Sequence, residues 1–180
     1  MLSSSLWWAI LGVAVFWTVG AYNRLVRLRA AAIHAFGGLD AHLLRLLVLV
    51  GEYGMAQASA GAADTDQGQA LQAAVTQFSA SLAQARAHPL QADATAALHA
   101  AQQVLDAAWA AATALGTVPE TVPAGSDRVS WAARWEQQAR PRALATEQFN
   151  TAVVQYNAAI NQFPAQLLAA VFGFKNARTL

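Results

Sequence analysis

Residues 6–22 read LWWAILGVAVFWTVGAY, a run without a single charge, and residues 23–29 follow at once with NRLVRLR. Seven members of the run are Leu, Ile, Val or Phe. Together they favour insertion into a bilayer by roughly 2–4 kcal/mol, with no buried charge in opposition. Counted from Leu2 to Tyr22, a helix rising 1.5 Å per residue is about 31 Å long, the thickness of a hydrocarbon core. Trp7 and Trp8 near one end, and Trp17 and Tyr22 near the other, sit where interfacial aromatic anchors belong. A helix in a soluble core normally keeps a polar stripe, and this one has none before Asn23. Residues 1–22 therefore read as a single transmembrane anchor.

A cleavable signal peptide is the second reading of the same stretch. Val19-Gly20-Ala21 offers small residues at a cleavage position, and release after Ala21 would give a periplasmic or secreted bundle. Against it, no Lys or Arg precedes the apolar run, whereas Arg24, Arg27 and Arg29 follow directly. Basic residues beside a span stay on the cytoplasmic side. The expected topology is an outer N-terminus, a single pass through the cell's inner membrane, and a cytoplasmic bulk domain.

The remainder, residues 23–180, has the composition of a helical bundle. Of the 180 residues 56% are hydrophobic and only 12% charged, about half the usual charged share. Alanine, the best helix former, supplies much of that excess. The formal net charge of +1 gives no concentrated basic face for nucleic acid. With no cysteine, disulfides, thiolate metal sites and thiol catalysis are excluded.

No Gly or Pro interrupts residues 22–36, so the anchor is expected to run on into the domain. Ile33, Phe36, Leu43, Leu47 and Val50 fit one helical face, with Asp40 in a matching slot. Leu39, Leu44, Leu46 and Leu49 widen that face beyond half the circumference, which calls for neighbours on several sides. Residues 57–69, QASAGAADTDQGQ, read as a loop, with Thr65 or Asp66 as the next cap. A second helix follows over 70–87, with Leu71, Val75, Phe78 and Leu82 inward, and Pro89 ends it. A third, alanine-rich helix covers 92–115 with Leu98, Leu105 and Trp109. Residues 116–126, GTVPETVPAGS, read as a turn.

Ser126 and Asp127 fit the cap of a fourth helix reaching about Gln162. In that helix Trp131 and Trp135 lie one turn apart, and Pro141 is expected to kink or break the run. Val153, Tyr156, Ile160 and Phe163 form a seam suited to left-handed, coiled-coil-like packing. Pro164 ends the seam and leaves a short apolar tail over 167–174. The predicted fold is all-α: a transmembrane helix continuing into an antiparallel four-helix bundle.

Several of these stretches resemble the LemA family of bacterial membrane-anchored helical proteins. Tyr22-Asn23-Arg24-Leu25-Val26-Arg27-Leu28-Arg29 is similar to the family's YN-x-LV-x-LR stretch, and Ala35-Phe36 with Leu39-Asp40 to its AW…ID step. Phe149-Asn150, Ala152-Val153 and Tyr156-Asn157 resemble its second Tyr-Asn motif, and Ile160, Phe163-Pro164 and Phe172-Gly173-Phe174 its ending. The chain departs from the family at 48–54, which reads VLVGEYG where DLIPNLV is usual. It departs again at Gln138-Ala139, where the family has Thr-Glu, and at Thr146, where it has Arg. The resemblance implies a divergent member: an inner-membrane protein with a cytoplasmic bundle and no established enzymatic activity.

No catalytic, cofactor-binding or metal-binding set stands out. His34 and His42 are two turns apart on one helix, too far to share an ion without outside ligands, and His88 and His99 lie on other elements. Asp40 and Glu52, twelve residues apart, are separated by about 18 Å of helix and cannot share a reaction centre. Each is expected to pair with an arginine, Arg45 or one on the fourth helix. Gly37-Gly38 is no phosphate loop, and loosens the first helix or admits a close neighbour. No serine-nucleophile, phosphate-loop or HExxH motif occurs. The remaining polar candidates are Tyr22-Asn23 and the row Asn150, Asn157 and Asn161, which shares one helical face. Such asparagines either recognise a partner or bond helix to helix and fix register. The expected function is a non-enzymatic, membrane-tethered interaction protein, with the membrane and a protein partner or a second copy as its contacts. A metal-dependent enzyme is the weaker alternative.

Overall fold

The structure, a computed structural model, describes residues 2–61, 63–114, 130–163 and 165–180. These form five helices and no strand: α1 (Leu2–Ser59), α2 (Asp66–Ala87), α3 (Ala92–Ala114), α4 (Trp131–Ile160) and α5 (Ala165–Phe172). The expected turn over 116–126 and the Ser126-Asp127 cap lie outside the described residues.

α1 is one continuous helix of 58 residues, so the apolar N-terminal stretch and the first bundle helix are a single rod about 87 Å long. It is the only helix among the described residues long and apolar enough to cross a membrane. Among its described side chains the buried apolar ones run from Leu25 through Ala32, Phe36, Leu39, Leu43, Leu46, Leu49, Val50 and Tyr53. From Ala32 to Leu46 the intervals alternate between four and three residues, the spacing of one helical face, and the adjacent Leu49 and Val50 widen it beyond that. Phe36, Leu43 and Val50 of the expected face are buried, but Ile33 is exposed and Ala32 is buried in its place. A small side chain lets the neighbouring helix come close enough to exclude water, which reading by hydrophobicity alone undervalues.

α1 runs tightly against α4, and α2 against α3. Buried alanines make the second pairing close: Ala74 and Ala85 on α2 meet a partner carrying Ala94, Ala101 and Ala112. Leu71, Phe78 and Leu82 of α2, and Leu98, Leu105 and Trp109 of α3, then fill the space between the two pairs. Phe36 and Phe149 meet edge to face at 5.7 Å in the middle of the α1–α4 contact. At the end of the bundle distant from the N-terminus, Trp109 stacks on Trp135 at 4.6 Å, and Tyr53 lies 4.9 Å from Trp109 and 5.4 Å from Trp131. The Tyr53 hydroxyl donates to the Ala112 backbone oxygen at 2.9 Å, and burial pushes its phenol above the usual value.

The helix ends follow local chemistry. α1 reaches Ser59, so the loop is shorter than 57–69, and Gln57 is buried. Thr65 caps α2 by accepting from the Gly68 N–H at 3.2 Å. Ser130 caps α4 by accepting from the Ala133 N–H at 3.1 Å. Pro141 is accommodated inside α4 with its ring exposed, and the helix continues through it. α4 stops at Ile160, so Phe163 falls beyond the helix and is 83% exposed instead of closing the seam.

Ion pairs tie the helices on the outside. Glu52 bonds Arg134 on α4, as expected of it, while Asp40 bonds Arg86 on α2 at 2.7 Å and not Arg45. Arg45 instead contacts His42 on its own helix at 3.5 Å. Asp106 of α3 accepts from Arg142 of α4 at 3.3 Å, which joins the two helix pairs on one side. Gly37 and Gly38 admit no close neighbour: a side chain at either would meet open space.

Candidate functional site

The short apolar tail is a helix with an abrupt end. α5 closes at Gly173, whose φ of +70° places it in the left-handed region that glycine enters without steric cost. The Phe174 N–H then donates back to the Ala169 oxygen at 2.9 Å, the six-to-one bond of a Schellman motif. This reversal sends residues 174–180 back along α4 in extended form, with Phe174 half-buried, Ala177 buried and Leu180 half-buried. Every third residue faces inward, the period of a polyproline-type helix.

The asparagine row of α4 holds this returning segment. Asn157 Nδ2 donates to the Ala177 backbone oxygen at 2.8 Å, and Asn157 Oδ1 accepts from the Ala177 N–H at 2.9 Å. Asn150 repeats the arrangement on Leu180, donating at 2.9 Å and accepting at 2.8 Å. Asn161 donates to the side-chain oxygen of Asn176 at 3.2 Å. A carboxamide carries a donor and an acceptor side by side, so it can pair with both polar groups of one backbone residue. The spacing fits as well. Seven residues of helix cover about 10.5 Å, and three extended residues about 10 Å. The asparagines thus bind helix to returning segment, not helix to helix.

α1 forms the other wall. Tyr22 lies 4.9 Å from the Phe172 ring and 6.3 Å from that of Phe174, over which the Arg29 guanidinium sits at 6.0 Å. Phe163 and Ala165 line a cavity of about 320 Å³ together with Phe16, Trp17 and Gly20. A second cavity, of about 560 Å³, opens between Arg29, Arg86, His88 and Lys175, with Tyr156 in its wall. Burial raises the Tyr156 phenol above its usual value, and the nearby Arg29 charge opposes this only in part.

Two features of this end of the molecule are unusual. Phe163, Leu167, Val171 and Phe172 are all more than half exposed, the first three at four-residue intervals. Burial of such a side chain is worth about 1.5–3 kcal/mol, so four of them within ten residues are costly to leave in water. The charge is also one-sided. Residues 1–39 and 148–180 hold five of the eleven basic residues (Arg24, Arg27, Arg29, Lys175 and Arg178) and none of the ten acidic ones.

Compared with known proteins, the chain finds no match among family models, curated proteins or solved structures. Tyr22, Arg29, Asn150, Tyr156, Asn157 and Phe172 to Phe174 all take part in this one site. Asn23 is exposed beside it. The other polar candidates stay apart. His34 and His99 are exposed on separate elements, His99 bonding Gln103, His88 is exposed at the rim of the second cavity, and among the described residues no three His, Asp or Glu side chains gather in ligating range. Reading by sequence missed Asn176, Ala177 and Leu180, the far side of the clasp, since nothing in 174–180 marks it as a docked segment. Gly173 behind eight apolar-rich residues was the one available signal for the reversal.

Proposed function

We propose that the chain is a single-pass membrane protein whose N-terminal helix tethers a cytoplasmic helical bundle, and that the bundle works without chemistry, as an interaction module for a neighbouring membrane protein or a second copy. The observation that carries the anchor is the exposure of α1 ahead of Leu25, the first buried residue among its described side chains. Trp7, Trp8, Val13 and Phe16 are between 70% and 82% exposed there, on a stretch with no charge. Side chains of that kind need an apolar medium. The non-catalytic reading is supported by the occupation of the polar row: Asn150 and Asn157 are spent on the chain's own backbone. The likeness to LemA-family stretches points the same way.

Fractionation of cells expressing the full chain tests the anchor. The protein is expected in the membrane pellet after alkaline carbonate extraction, and a detergent-free, monomeric, soluble product would overturn the reading. N-terminal sequencing separates it from a released bundle, which would begin at Tyr22. Capture of the tagged, detergent-solubilised chain is expected to recover a stoichiometric partner or a self-associated form. Recovery of the monomer alone counts against the interaction module, and a stoichiometric metal in the purified protein would favour an enzyme.

A further inference from the structure

We propose that α5 and the preceding Phe163 form a second membrane contact, an interfacial foot that lies in the lipid surface beside the point where α1 enters the bilayer. The proposal rests on the anchored reading and extends it, from one helix that crosses to a second that lies along the boundary.

Position comes first. Phe163 and Ala165 share a cavity with Phe16, Trp17, Gly20 and Ala21, which belong to the upper part of the uncharged stretch, and Phe172 touches Tyr22 at its end. A bilayer that covers the stretch as far as Tyr22 therefore reaches Phe163 and α5 without any rearrangement. Composition agrees. α5 reads AQLLAAVF, with Gln166 its single polar side chain, and among its residues only Ala169 is fully buried against the bundle. A helix so apolar, with Leu167 and Val171 one turn apart on its open side, requires a second apolar neighbour. Interfacial helices meet that need by sinking their apolar face about 5–10 Å into the headgroup and acyl boundary.

Charge selects lipid over other occupants. Arg24 lines the Phe163 cavity, Lys175 follows α5 by three residues, and no acidic residue occurs in either segment that builds this end. Anionic headgroups attract such residues within a Debye length of the surface. A second copy would bring an equally basic end and its own span to the same level, whereas lipid already surrounds the first span. The fold also fixes the foot in place. Gly173 ends α5 with a tight reversal, and the asparagine clasp ties down the segment beyond it, so Leu167 and Val171, one turn apart on α5, stay on its open side.

The chain contains no cysteine, so a single introduced one can be labelled without ambiguity. Full-length protein with Val171→Cys, labelled with the fluorophore NBD and reconstituted into phosphatidylcholine–phosphatidylglycerol vesicles, is compared with Val13→Cys in the span and Leu144→Cys on the exposed side of α4. Lipids carrying a doxyl group near the headgroup are expected to quench the Val171→Cys label at least twofold more than the Leu144→Cys label. Leu167→Cys should behave as Val171→Cys does, and deep doxyl groups should quench Val13→Cys. Quenching at Val13→Cys with none at Val171→Cys or Leu167→Cys overturns the foot and leaves the anchor standing. A blue-shifted Val171→Cys label that doxyl lipids do not quench also overturns it, in favour of burial against protein. Quenching at neither Val171→Cys nor Val13→Cys removes both readings.

Discussion

Asn157 and Asn150 each satisfy a donor and an acceptor on one residue of an otherwise unsupported segment, so the loss of either side chain frees two backbone groups at once. At a net 0.5–1.5 kcal/mol per hydrogen bond, Asn157→Ala should lower stability by about 1–3 kcal/mol in urea unfolding and speed hydrogen exchange at the Ala177 N–H. Asn161→Ala, which loses one exposed bond, should stay within about 0.5 kcal/mol of the parent. Asp106 offers a second test. Burial raises its carboxyl above the usual 3.8, and the charge and hydrogen bond of Arg142 pull it back only in part. The folded protein therefore holds this proton more tightly than the unfolded chain does. Its contribution to stability is complete below 3.8 and fades as pH climbs through the folded midpoint. An NMR titration should place that midpoint above 3.8, and Arg142→Gln should move it higher still.

At the scale of elements, two glycines with opposite roles make a matched pair. Gly173 stands at a φ of +70° where the chain reverses, so Gly173→Ala should cost about 1–2 kcal/mol and release the returning segment. Gly37 lies inside α1 with open space around it, so Gly37→Ala should stabilise by about 0.5–1 kcal/mol. Thermal unfolding of the two variants reads the contrast directly. The four long helices were legible because each carries a periodic apolar row over many turns. Their exact faces were less so: Ala32 displaced Ile33, and Phe163 left the seam once α4 ended at Ile160. α5 escaped notice as a helix because eight residues span too few turns for a period to emerge, and its stability depends on Tyr22 and the clasp beyond it.

The molecule as a whole is electrically lopsided, with its basic excess gathered where α1 leaves the bundle and its acidic residues confined to 40–147. Positive charge beside a span resists transfer across the membrane, so this arrangement should keep the bundle in the cytoplasm. A membrane-impermeant maleimide is expected to label Ser3→Cys in intact cells and to reach Gln103→Cys only after lysis. Replacement of Arg24, Arg27 and Arg29 by glutamine should weaken that asymmetry, with part of the population becoming labelled at Gln103→Cys. Equal labelling of both sites in the parent protein would contradict the topology.

Helical class, the continuity of the apolar stretch with the first bundle helix, and the placing of three arginines at its edge were determined by the sequence alone. Each depends on local composition or on a period that neighbours along the chain enforce. The asparagine clasp, the partners of Asp40 and the open apolar row on α5 were decided only by tertiary structure. Each of them joins groups far apart in sequence, and a carboxamide, a carboxylate or a phenylalanine carries no mark of which distant surface it will meet.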